Sequence, residues 1–215
     1  MTDLFTPLQA GDLALPNRIL MAPLTRCRAE DGHVPGELMA THYAQRASAG
    51  LLIAEATMAM EGNSAFWHEP GIHSAAQVAG WKKVTDAVHA EGGAISYQIT
   101  HGGSFITSRR VKGATMSAMN GFNKAGFLRG NLFHRAMNRA DMEQVTEQFV
   151  SAARVCRDAG FDAVEIHMGH GYLLNQFISP LSNRRKDEFG GSALNRVRFP
   201  AQVLARVKAA VGDRM

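Results

Sequence analysis

The feature that most constrains this chain is a change of hydrophobic period, repeated four times. Short, nearly continuous apolar runs alternate with longer runs of helical spacing. The short runs RILMAP (Arg18–Pro23), LLIAEAT (Leu51–Thr57), AISYQIT (Ala94–Thr100) and FDAVEIH (Phe161–His167) read as strands. The long runs between and after them read as helices. The first spans Pro35–Ser48, with proline in the opening turn. The second spans Ser74–Gly93 and places Val78, Trp81, Val84 and Val88 on one face. Its Ser74 stands three residues before Gln77, a capping-box spacing. The third starts at Asp141, carries Met142, Val145, Phe149, Ala152, Ala153 and Cys156, and stops at Gly160. The last covers Ser192–Gly212, with a kink or restart predicted at Pro200.

Strands without polar alternation are buried on both faces, and a β-α-β-α order puts them parallel. The expected class is α/β. Four βα units make either a small open sheet or the first half of a (β/α)8 barrel, which typically needs about 250 residues. The 215 residues are read as one domain, 1–215. From His101 to about Arg139 the chain is rich in Gly, Asn and Ser and has no sustained period. A loop of about 101–139 inside a compact domain is expected to serve an active site.

Composition removes several classes of function. The 23 basic and 19 acidic residues are interspersed and leave a net charge of +4. The basic runs Arg109–Lys112 and Arg184–Lys186 are short and lack interleaved aromatics, so nucleic acid is not an expected partner. Cys27 and Cys156 stand far apart and make no disulfide framework. The N-terminus has no basic head before an apolar core, and Ala49–Met60 is too short to span a bilayer and carries Glu55. A cytoplasmic protein without membrane contact is expected.

In barrels of this kind chemistry gathers where strands end. The first strand end offers Pro23, Leu24 and Thr25, the second Glu55, Ala56 and Thr57, the third Gln98 and His101. The fourth delivers His167, His170 and Tyr172, separated by Gly169 and Gly171. Small residues with neutral hydrogen-bonding groups suit a flat, polar-edged ring better than a bare divalent cation. Two imidazole N–H groups aimed at one oxygen polarise the group that bears it. A phenol, protonated at neutral pH, can then act as a general acid. This set serves hydride addition to a conjugated carbonyl. The H-x-x-H spacing also fits a zinc pair, which needs a third ligand such as His101 or His134. Glu165 within a strand predicts a buried ion pair, and Gln98 alone reads as a satisfied core amide. The two cysteines read as apolar fillers. No G-x-G-x-x-G follows a strand, so a Rossmann nicotinamide domain is not indicated.

Four blocks, Asn17–Ala29, Ala49–Thr57, Gly71–Gly93 and Val164–Phe199, resemble the Old Yellow Enzyme family, FMN-dependent ene-reductases on a (β/α)8 barrel. The resemblance implies a TIM-barrel type of fold with only the first four βα units in this chain. It implies FMN as cofactor, NAD(P)H as reductant, and a small alkene or carbonyl compound as substrate. Pro23, Leu24 and Thr25 match the segment lining the flavin, and Ala56 the small residue that lets the ring approach. Gln98 matches the amide at the pyrimidine edge, His167 and His170 the pair that holds the substrate oxygen, and Tyr172 the proton donor. From Ala94 to about Arg139 the sequence is closer to the dienoyl-CoA reductase-like branch. The family's basic residue beside flavin N1 and O2, and its phosphate site, belong to strands 5 to 8. The expectation is therefore a half-barrel, either active or requiring self-association or a complementary C-terminal half. A metal-dependent barrel hydrolase using His167, His170 and His101 is the remaining alternative.

Overall fold

The computed structural model describes residues 3–106, 115–122 and 133–212. The basic run Arg109–Lys112, part of the 101–139 segment and Met215 lie outside these residues. A hairpin comes first: β1 (Leu8–Ala10) pairs antiparallel with β2 (Leu13–Leu15). Then follow β3 (Leu20–Met21), α1 (Glu37–Ala44), β4 (Leu51–Met58), α2 (Ala75–Ala90) and β5 (Ile95–Thr100). A small sheet of β6 (Thr115–Ser117), β7 (Gly121–Phe122) and β8 (Phe133–Ala136) precedes α3 (Arg139–Asp158). The chain continues through β9 (Ala163–Ile166), α4 (Leu173–Ile178), α5 (Ala193–Arg196) and α6 (Arg198–Val211).

The four strands expected from the apolar runs form one parallel sheet in the order β3-β4-β5-β9. Their apolar side chains build the core with the helices. Trp81, Tyr97 and Phe161 interlock edge to face with centroids 5.0–5.6 Å apart, and Phe177 packs on Phe199 at 4.7 Å. Each such ring contributes about 1.5–3 kcal/mol on burial. The register places Ala56, Gln98 and Glu165 in one row across β4, β5 and β9. Because the strands are parallel, all their C-terminal ends face the same way.

The structure departs from expectation at several points, among them the hairpin β1–β2 and helix α4, which the apolar runs do not announce, and α1, which ends at Ala44 rather than Ser48. The 101–139 segment is not structureless: it holds β6, β7 and β8, strands of two to four residues, too short to show a period. α3 starts at Arg139, with Asn138 as its cap. The Asn138 side chain accepts the Asp141 N–H (2.9 Å), and the Asp141 carboxylate accepts the Asn138 N–H (2.8 Å). The break in the last helix falls at Val197 rather than Pro200. A proline ring crowds the carbonyl four residues back, so the interruption sits upstream and Pro200 occupies the opening turn of α6. Finally, Glu165 has no cation partner among the described residues; it lies half-exposed on edge strand β9 and accepts a hydrogen bond from Gln98 Nε2. Cys156 is a buried filler as expected, whereas Cys27 is half-buried in a left-handed conformation, φ +54°.

Candidate active site

The site is assembled from strand ends. After β3, Pro23 and Thr25 are half-buried and Leu24 is 65% exposed. This segment is tied to β4 through Glu55, whose Oε2 accepts the Arg26 N–H (3.0 Å). The Tyr43 hydroxyl donates to Glu55 Oε1 (3.2 Å) and accepts the Glu55 N–H (2.8 Å). Burial raises the Glu55 carboxyl above the usual range, and the surrounding donors pull it back. Next along β4, Ala56 pairs with Gln98 on β5, and both are buried.

His167, His170 and Tyr172 come together just past β9. The His167 N–H continues the ladder to the Ile99 carbonyl (3.0 Å), which aims the residue off the end of the sheet. Its ring lies 5.3 Å from that of His170 and 5.2 Å from that of Tyr172. His170 has φ +55° and Gly171 φ +80°, so the chain reverses tightly enough to return Tyr172 to the cluster. Two side chains of α4 hold this turn. Asn175 accepts the Gly171 N–H (3.0 Å) and donates to the Met168 carbonyl (3.1 Å). Gln176 Nε2 donates to the Gly171 carbonyl (2.6 Å) and to Ser104 Oγ (2.9 Å), fastening the loop after β5 as well.

Burial, with His170 nearby, holds His167 below the usual imidazole range against the opposing pull of Glu165. At neutral pH the ring is a neutral donor. Burial, with Glu69 second, raises the Tyr172 phenol, so it keeps its proton. Phe66 and Phe105 flank the Tyr172 ring edge-on at 6.2 and 6.1 Å. His101 is fully buried, accepts the Gly103 N–H on Nδ1 (3.0 Å), and is pushed down to about 4 by burial. Among the described residues, no group of three His, Cys, Asp or Glu side chains is placed to hold a metal ion.

Sequence reasoning named His167, His170, Tyr172, Ala56 and Gln98; the structure brings the first three together and pairs the last two across β4 and β5. That reasoning missed Asn175, Gln176, Phe66, Phe105 and Glu69. A weak signal for Asn175 existed: a polar side chain four residues after Gly171, at the start of a new helix.

Comparison with known proteins decides the family. A family model described as NADH:flavin oxidoreductase / NADH oxidase matches residues 3–215. The chain belongs to that family. It is 44% identical over 218 residues to a probable flavin mononucleotide-dependent alkene reductase of Leishmania infantum, covering 96% of this chain and 60% of that protein. It is 38% identical to 12-oxophytodienoate reductase 7 of rice, Oryza sativa subsp. japonica, over 97% of this chain and 56% of the relative. Morphinone reductase in complex with tetrahydroNAD superposes with TM-score 0.90 at 40% identity, covering 98% of this chain and 62% of that one. An Old Yellow Enzyme homologue from Zymomonas mobilis gives 0.89 at 40%, over 98% and 61%. The chain thus spans about 60% of the length of these relatives.

Proposed function

We propose that this chain is the N-terminal part of an FMN-dependent, NAD(P)H-consuming reductase of activated alkenes. The observation that carries the reading is the convergence of two imidazoles and a phenol at the C-terminal end of a parallel sheet, with the His167 ring 5.3 Å from that of His170 and 5.2 Å from that of Tyr172. The donor set fits a flavin: Thr25 brings a hydroxyl, Gln98 an amide, and Ala56 leaves room for a flat ring, all without net charge. When bound, FMN supplies the two-electron chemistry, accepting hydride from a nicotinamide and delivering it to the alkene. His167 and His170 would donate N–H groups to the oxygen conjugated with the alkene, drawing charge away from the reacting carbon. Tyr172 would give its proton to the neighbouring carbon. Its raised pKa keeps it loaded at neutral pH.

The test is a pair of half-reactions on the flavin-loaded protein. Tyr172→Phe is expected to slow alkene-dependent reoxidation by a factor of about 100 or more while nicotinamide-dependent reduction keeps its rate. Equal losses in both halves would remove the assigned role. A chain that stays colourless after FMN is added and free flavin is filtered away supports the second reading, a half-site that needs a complementary segment.

A further inference from the structure

Glu69 is fully buried, and no cation pairs with it among the described residues. Its Oε2 accepts the N–H groups of Ala65 (2.9 Å) and Phe66 (3.1 Å), with the Ser64 hydroxyl at 3.3 Å. Its Oε1 meets no partner among the described residues. The backbone around Glu69 is pinned from outside the turn. Its carbonyl meets His33 Nδ1 at 2.5 Å, the His68 carbonyl accepts the Ala29 N–H (3.2 Å), and the Pro70 carbonyl accepts the Met58 N–H (3.2 Å). Glu69 is thus a fixed post, and residues 64–66 are gathered around it. The last of these carries the ring that lies against Tyr172 at 6.2 Å and 67°.

We propose that Glu69 is a positioning residue for Tyr172: its carboxyl shapes the Ser64–Phe66 turn, and that turn sets the Phe66 ring against the phenol. This rests on the proton-donor reading of Tyr172 given above. A buried carboxyl is costly unless donors meet it, and here the donors are the backbone of the turn itself. Aromatic pairing then carries the placement across to Tyr172, against which Phe105 also packs edge-on. Burial pushes Glu69 up to about 8. Near neutral pH it therefore supports the turn without placing a charge beside the phenol, and above that pH its charge opposes ionisation of Tyr172.

The proposal is tested by NMR on the 215-residue chain carrying 13C-labelled tyrosine, with Tyr172→Phe to assign the signal. The wild-type chain should give a Phe66–Tyr172 cross-peak and a step in the Tyr172 Cζ shift near pH 8. Glu69→Ala should lose the cross-peak. Glu69→Gln should keep it, because the amide oxygen still accepts from the turn, and should lose the step. A cross-peak that survives in Glu69→Ala, or a step that survives in Glu69→Gln, overturns the proposal. If Glu69→Ala does not fold, Glu69→Asp, too short to reach both amides, replaces it. In flavin-loaded protein, Glu69→Ala should slow alkene-dependent reoxidation by up to about 100-fold and spare reduction by the nicotinamide. Equal slowing of both would reduce Glu69 to a scaffold residue. Equal losses in both half-reactions of Tyr172→Phe would remove the proton-donor reading, and a chain that binds no flavin would point to a half-site; both leave the NMR outcomes decisive.

Discussion

Two buried residues near the site make stability depend on pH in opposite senses. Glu69 titrates at about 8 in the fold against 4.5 for an ordinary glutamate, so the folded state binds more protons between those values. Its contribution is fully present below about pH 4.5 and is lost as pH rises through about 8. His101 titrates at about 4 in the fold against 6.5, so the unfolded state binds more protons in that window. Its contribution is present above about pH 6.5 and is lost as pH falls through about 4. From about 4.5 to 6.5 the two slopes offset each other; above that range the opposing slope of His101 fades and the decline due to Glu69 dominates the pair. Urea denaturation across this range should show the alkaline decline in the wild-type chain and a much flatter profile in Glu69→Gln. An unchanged decline would place the titrating group elsewhere.

At the scale of elements, the start of α3 shows how local chemistry sets a boundary. Asp141 looks like a helix start because it stands three residues before Gln144, yet it serves as the third helical residue of a box opened by Asn138. Arg135 then clamps the same carboxylate from β8 with contacts of 2.5 and 2.6 Å, joining the small sheet to the helix. Asn138→Ala should lower stability by about 1 kcal/mol, read as a shift in the urea midpoint with an unchanged slope. An effect within error would mean that Arg135 and Asp141 hold the end of the helix without the cap.

At the largest scale, the parallel sheet has two unpaired sides among the described residues. Edge strand β3 leaves Leu20 47% exposed, with Ile19 beside it at 40%, and all four residues of β9 are half-exposed. Rows of unpaired backbone groups beside apolar side chains recruit further strands. The isolated 215-residue chain is therefore expected to self-associate with rising concentration in sedimentation velocity runs. A single monomeric species at every concentration would show these edges to be covered in some other way. Among the described residues no helix is long and apolar enough to cross a membrane.

The amino-acid sequence by itself determined the four parallel strands, their covering helices and the cluster of His167, His170 and Tyr172. These depend on local periodicity and on chemistry within six positions of one strand end. The Ser74–Gln77 box was legible for the same reason, since both partners lie within one helical turn. Only the tertiary structure decided what surrounds that cluster. Glu69 and Phe66 reach Tyr172 from about a hundred residues away, Gln176 stitches α4 to Ser104, and Glu165 meets an amide instead of a cation. Such partners carry no spacing signal, because their proximity is created by strand register and loop packing.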